Sequence, residues 1–307
     1  MKDILALDVG GTHIRSAWVT DSGMRDDERV HADLRGLTTA AGAGAQEALL
    51  AALVQHIELR LEEGNAHAVA LGMPGFIDRH GVIAASPNLP GISDFPLKRL
   101  LGERLTLPVT VANDALCAAR GAWLLEDPRP PSLAMLTLGT GVGGGLVLDG
   151  RPVIGDGGTA MEIGHIPMVP KGHPCGCGKR GCLEQYASAT ALTRIDAEAG
   201  GPGRDARELA EAANSGEARA REIYQDAGRY LGLGVATLVQ LVDVRTVRIG
   251  GGLTRSWNLL EPGLRSSLDE NLIPPLRGKI DVAPVAPERI DQIALLGAAD
   301  LACLDLI

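Results

Sequence analysis

No block of lysine or arginine interrupts this chain of 307 residues, and its formal net charge is −9. A surface with that balance repels phosphate backbones and argues against nucleic acid as a partner. No apolar run approaches the length of a membrane span, and no cleavage signature follows the short apolar stretch at the start. The expected location is the cytoplasm, with no membrane partner. Disordered or fibrous bias is absent too: 45% of the residues are hydrophobic and 22% charged, the balance of an ordinary globular protein. Cysteine is scarce at five residues, yet Cys175, Cys177 and Cys182 crowd into one short segment. In a reducing compartment that crowding favours metal ligation over disulfides. Cys117 and Cys303 lie in apolar helical contexts and read as core residues.

What the chain has in quantity is glycine, 40 residues in clusters, which points to backbone passing close to a ligand. The length suits two domains sharing a cleft. Ile4 to Val9 and Ile14 to Val19 read as a hairpin turning at Gly10-Gly11. Gln46 to Glu62 has helical spacing, with Leu49, Leu50, Leu53, Ile57 and Leu61 on one face. Ala68 to Met73 and Pro108 to Ala112 read as buried strands, the second opening a helix through Trp123. After the proline-rich linker 127–131 the first theme returns, with strands over Ser132 to Leu138 and Val142 to Leu148 around Gly139-Thr140-Gly141. The repetition suggests an internal duplication with the ligand between the halves. A helix over roughly Ala218 to Leu241, a strand over Thr246 to Ile249 and a helical Ile293 to Leu306 complete an α/β pattern.

Three glycine turns carry the first chemical signal. In Asp8-Val9-Gly10-Gly11-Thr12-His13-Ile14-Arg15, side-chain-free glycines let backbone N–H groups face phosphate oxygens, with Thr12 and Arg15 as further donors. Asp8, at a strand end, can hold Mg²⁺ directly or through water. A tight hairpin with a solvated arginine explains this motif alone equally well. Gly139-Thr140-Gly141, within a run that continues to Gly145, repeats it, and Gly250-Gly251-Gly252 follows a third strand. The later glycines of the second run can instead serve close strand packing. Three such turns together point to a nucleotide. No glycine-lysine-serine/threonine motif stands at P-loop spacing, and the first turn leads into a strand rather than the helix of a Rossmann fingerprint.

Asn113-Asp114 stands where a strand meets a helix. Either residue can simply cap that helix. As chemistry, Asp114 can take the proton of an attacking hydroxyl, the helix N-terminus favouring its ionised form, while Asn113 holds the acceptor. Glu162-Ile163-Gly164-His165 and Cys175-Gly176-Cys177-Gly178-Lys179-Arg180-Gly181-Cys182-Leu183-Glu184 supply one histidine and three cysteines, a set that fits tetrahedral zinc with no open position. His173 lies within chain reach as an alternative fourth ligand, and Cys-x-Cys is not the redox spacing.

With these motifs in this order, the sequence resembles the ROK family (repressors, open reading frames and kinases) over nearly its whole length. The match runs through Asp8–Arg15, Pro74-Gly75, Ser86-Pro87-Asn88, Asn113-Asp114-Ala115, Gly139-Thr140-Gly141, Glu162–His165, Cys175–Glu184 and Gly250–Gly252. The resemblance implies an actin-like, ribonuclease H-type two-domain ATPase fold with a ligand cleft between the domains. Residues 1–127 form the N-terminal α/β domain, on which the C-terminal helix 293–307 packs back, and 128–292 the C-terminal α/β domain with the zinc loop. It further implies a homodimeric, ATP-dependent hexose kinase. Asp114 is then the base, and Gly75, Asn88, Asn113, Glu162, His165 and Glu184 surround the sugar. Asp8, Gly10, Gly11, Thr12, Arg15, Gly139, Thr140, Gly141, Gly250, Gly251 and Gly252 surround ATP and its Mg²⁺. Structural zinc sits on His165, Cys175, Cys177 and Cys182, with His165 preferred to His173 by the resemblance.

The sequence departs from the family at Leu116, where asparagine is common, at Ala122 for a glutamate and at His13 for a lysine. These positions bear on the choice of sugar. His13-Ile14-Arg15, Ser86-Pro87-Asn88-Leu89 and Gly164-His165-Ile166-Pro167 look most like the allose kinase branch, while kinases of glucose and N-acetylhexosamines share the pocket residues. The rivals are a sugar-responsive ROK-type regulator and a sensor without catalysis. The first would carry a DNA-binding segment before the first strand, and the second would need neither the base nor three glycine turns.

Overall fold

Apolar residues on either side of Gly10-Gly11 build the first hairpin, β1 (Ile4–Val9) and β2 (His13–Thr20), with Ile4 opposite Val19 and Val9 opposite Ile14. The computed structural model describes residues 3–304. Next come β3 (Gly23–His31), α1 (Leu34–Ala41), α2 (Ala45–Leu61) and β4 (Ala68–Met73). A small sheet of β5 (Phe76–Ile77), β6 (Ile83–Ala85) and β7 (Ser93–Phe95) precedes α3 (Leu97–Leu105), β8 (Val109–Asn113) and α4 (Asp114–Leu124). The second half has β9 (Leu133–Leu138), β10 (Val142–Leu148), β11 (Arg151–Pro152), α5 (Glu184–Ala187), α6 (Ala189–Glu198), α7 (Ala206–Asn214) and α8 (Ala218–Val242). It closes with β12 (Thr246–Gly250), α9 (Trp257–Asn271), β13 (Asp281–Pro284) and α10 (Pro287–Cys303).

The two main sheets share one plan. The first is ordered β3-β2-β1-β4-β8 and the second β11-β10-β9-β12-β13. In each, the glycine hairpin is antiparallel and two further strands run parallel to its first strand. The duplication expected from the repeated strand–glycine–strand theme is thus visible in the topology.

Leu49, Leu50, Leu53 and Ile57 of α2 and Leu97 and Leu101 of α3 are buried in one core on the first sheet. On its other face, Ile4, Ala6 and Ala17 cluster with Leu116 and Cys117 of α4 and with Leu295, Ala298 and Leu301 of α10. Ala118, Ala119 and Ala122 of α4 then join Leu133 and Met135 of the second sheet. Small residues make this double contact possible. A Cβ on Gly145 would meet Ala119, and one on Gly121 or Gly297 would run into the facing backbone of α10 or α4. Glycines of the second run therefore serve packing, as the sequence allowed.

Two expectations need correction. The last helix starts at Pro287 rather than Ile293, because proline suits the first helical turn, and residues 305–307 lie outside the described residues. The stretch Leu34–Leu61 is long and apolar enough in composition to cross a membrane. Its helix is interrupted at Gly42–Gly44, however, and the apolar face of α2 is spent on the core.

Candidate active site

Because β1, β4 and β8 run parallel, their C-terminal ends bring Asp8 to Gly10, Pro74-Gly75 and Asn113-Asp114 to one edge of the first sheet. A cleft of about 310 Å³ opens there, lined by Asp8, Val9, Gly10, Thr12, His13, Arg15 and Asp114 together with Arg29 and Asp291. Arg15 does not project freely into it. Its guanidinium is held by Asp27 through Nε at 2.7 Å and by Asp291 at 2.9 Å. Asp27, Arg29 and Asp291 escaped sequence reasoning, since β3 is a charged, mostly exposed edge strand with no apolar alternation and Asp291 comes from the far end of the chain.

Asp114 is the first residue of α4, and its carboxylate accepts from the Ala115 N–H at 2.8 Å. The helix N-terminus alone would favour the ionised form. Burial works the other way, and with the nearby charges of Asp8 and Glu162 it raises the Asp114 carboxyl to about 7. Burial likewise pushes the Asp8 carboxyl above its ordinary value, against the pull of Arg15 and Arg29. A carboxylate balanced near neutrality is well matched to accepting a proton at that pH. The crowding of Asp8 and Asp114 also leaves negative charge that a cation would relieve.

Asn113 caps the helix, and its amide nitrogen is engaged within the protein. Its Oδ1 caps α4 by accepting from the Leu116 N–H at 3.0 Å, and its Nδ2 donates to the Gly75 carbonyl at 3.0 Å. Gly75 has φ +128°, and a Cβ there would clash with Ala85 and Ser86, so glycine is required. Asn88 is exposed, with its backbone carbonyl beside Gly11. Asn113 and Glu162 face a small cavity of about 10 Å³, otherwise lined largely by apolar groups including Ile77, Val111, Leu116, Val153 and Ile154. Burial and the charge of Glu184 hold the Glu162 carboxyl above its usual range. His165 lies across from the Gly75 segment, its ring 6.3 Å from that of Phe76.

The four proposed metal ligands do converge. Donor atoms of His165, Cys175, Cys177 and Cys182 all lie within 4.8 Å of one another. Cys177 and Cys182 sulfurs are 3.7 Å apart, and His165 Nδ1 is 3.6 Å from the Cys175 sulfur. Tetrahedral zinc with bonds of about 2.3 Å to sulfur sets edges of just this size, so the residues fit the ion. His173 is engaged elsewhere, 2.7 Å from Arg194 and 3.4 Å from Glu198.

The second and third glycine turns meet at the ends of the adjacent parallel strands β9 and β12, where Gly251, at φ +92°, packs on Leu138. A Cβ on Gly139 or Gly252 would touch nothing within 4 Å, leaving room for a ligand at both. A Cβ on Gly141 would collide with Glu184 Oε2, which accepts from the Val142 N–H at 3.1 Å. Glu184 Oε1 lies 3.8 Å from the Cys175 sulfur. The cysteine loop, expected beside the sugar, therefore also abuts the second turn.

The chain shares its fold with known proteins. The ROK family model matches residues 4–304. The glucokinase of Halalkalibacterium halodurans is 33% identical over 88% of this chain and 86% of its own length. The N-acetylmannosamine kinase of Salmonella arizonae is 35% identical over 97% of both chains. In structure, the ROK family glucokinase of Streptomyces griseus in complex with glucose and AMPPNP superposes with a TM-score of 0.81 at 30% identity, over 98% of this chain and 99% of that one.

Proposed function

The chain belongs to the ROK family, with its two-domain actin-like ATPase fold, and on that premise we propose that it is an ATP-dependent hexose kinase with Asp114 as general base. The observation that carries this reading is the meeting of the first glycine turn, Asp8 and Asp114 in one cleft, with the Asp114 carboxyl raised to about 7. Asp114 accepts the proton of a sugar hydroxyl as its oxygen attacks the γ-phosphorus. The bond from that phosphorus to the bridging oxygen breaks, and ADP leaves.

Gly75, Asn88, Asn113, Glu162, His165 and Glu184 surround the hexose, and the three glycine turns, with Thr12, Arg15 and Thr140, surround ATP. Mg²⁺ bound with ATP would neutralise phosphate charge, and Asp8 is the residue to hold it. Zinc on His165, Cys175, Cys177 and Cys182 would have no open position, so its contribution is to the shape of the loop. The acceptor is glucose, allose or an N-acetylhexosamine. The cavity beside Asn113 and Leu116 has room for about one water-sized group.

ADP release across glucose, allose, mannose, fructose and N-acetylated hexosamines tests the reading and ranks the acceptors. A chain that releases no ADP with any of them is not a hexose kinase.

A further inference from the structure

The second glycine turn is held from behind. Its Gly139 N–H is used inside the turn, donating to the Gly141 carbonyl at 3.0 Å. The Gly139 carbonyl accepts from the Ala189 N–H at 2.9 Å, and the Thr140 carbonyl accepts from the Thr190 hydroxyl at 2.9 Å. Ala189 and Thr190 open α6, whose cap is Ser188, with its hydroxyl accepting from the Ala191 N–H at 3.1 Å.

In a trans peptide the carbonyl and the N–H that follows it point in opposite directions. The only cis bond among the described residues is Asp127–Pro128. Tying the carbonyls of Gly139 and Thr140 to α6 therefore turns the N–H groups of Thr140 and Gly141 away from it. Neither N–H donates to another group among the described residues. Two successive free N–H groups on a glycine turn form the kind of concavity that anions occupy. The space beside Gly139 is open, so a ligand has room to reach them. Without the tethers, peptides flanked by glycine would rotate at little steric cost. Their orientation would then have to be fixed when the ligand binds, which weakens binding.

We propose that Thr190, with the start of α6, is a positioning residue for the nucleotide. It holds the Thr140 carbonyl so that the Thr140 and Gly141 N–H groups face the triphosphate oxygens. The proposal rests on the kinase reading and deepens it, since Thr190 acts through the turn and does not itself touch ATP.

Calorimetric titration with AMPPNP and Mg²⁺, paired with steady-state kinetics, tests it on wild type, Thr190→Val and Thr190→Ser. The valine variant should bind nucleotide about three- to tenfold more weakly, the loss one net hydrogen bond gives. KM for ATP should rise in proportion, kcat and the sugar KM should stay near wild type, and serine should restore nucleotide affinity. Wild-type affinity in the valine variant would overturn the proposal while leaving the kinase reading intact. So would a loss shared equally by sugar and nucleotide, with a lowered melting temperature and no rescue by serine. A wild-type protein that binds no AMPPNP would remove the kinase reading, and this proposal with it.

Discussion

At the first glycine hairpin the carbonyls of Gly11 and Thr12 accept from the Arg35 and Ala32 N–H groups at 2.8 and 3.0 Å. At the second, those of Gly139 and Thr140 accept from the Ala189 N–H and the Thr190 hydroxyl, both at 2.9 Å. Each turn also closes on itself through its leading glycine, Gly10 to His13 and Gly139 to Gly141. In both, residues at or just before the start of a later helix, α1 or α6, hold the carbonyl side. The first half does this with backbone alone, whereas the second enlists a side chain. Their surroundings differ as well. The first turn shares a cleft with Asp8 and Asp114, and the second shares Glu184 with the cysteine loop. One half thus carries the carboxylate proposed to react, while the other is tied to the cysteine loop proposed to bind zinc.

The largest expected effect breaks the first half. Asp114→Asn keeps the helix-capping geometry but cannot accept a proton at neutral pH. Turnover should fall by about 10²-fold or more, with AMPPNP affinity nearly unchanged. Near-wild-type turnover in a single-turnover assay would reduce Asp114 to a cap.

Next comes the second half, where a defect should appear in binding rather than chemistry. A Cβ added at Gly139 meets no protein atom within 4 Å, so with Gly139→Val the fold should survive while the side chain enters the ligand's space. Nucleotide affinity should fall on the order of tenfold or more, through a clash with the ligand. Gly141→Ala makes a sharper contrast, since its Cβ would displace the Glu184 carboxylate and so weaken sugar and nucleotide together. Normal AMPPNP binding by Gly139→Val would make the second turn purely structural.

These contrasts also mark what was legible in the sequence. Strands bounded by glycine or proline were read closely: Ala68–Met73 and Val142–Leu148 have the expected limits. The long α8 was legible too, because its buried positions recur at helical spacing over 25 residues. β3 was missed because its residues are mostly exposed and charged, as an edge strand's can be. The three-stranded sheet of β5, β6 and β7 is too short to show a period. At the site, Asp8, Asp114 and the cysteine set were visible because their chemistry depends on residue type at fixed spacing. The tethers at Ala32, Arg35 and Ala189 are backbone N–H groups that leave no trace in residue identity, and Thr190 sits 50 positions from the carbonyl it holds. The rise of the Asp114 carboxyl also depends on Asp8 and Glu162, which only the fold brings near.

Metal removal should separate the halves by a smaller margin. Chelation, or Cys177→Ala, should loosen the loop that carries Glu184, raise the sugar KM and lower the melting temperature by about 5 °C or more. Hydrogen exchange should quicken at Gly139 and Val142 and stay unchanged at Gly10, because the second turn leans on that loop through Glu184. Equal change at both turns would sever the link drawn here between the cysteine loop and the second turn.

The smallest effect lies in the stability of the ligand-free protein. Asp114, Asp8 and Glu162 all have carboxyl groups raised above their ordinary values in the folded state, Asp114 to about 7. Between the unfolded value of 3.8 for Asp114 and about 7, the native protein holds a proton that the unfolded chain has released. The stability contributed by that proton is fully present at low pH and is lost as pH rises through the folded value. Asp114→Asn should therefore come closest to wild type near the unfolded value of 3.8 and gain on it steadily as pH rises to about 7, the gap being read as a difference in melting temperature. The same substitution that removes turnover would then stabilise the fold, as expected where a reacting carboxylate is kept buried beside like charges. If Asp114→Asn and wild type melt alike across the whole range, the carboxyl is not raised in the folded protein.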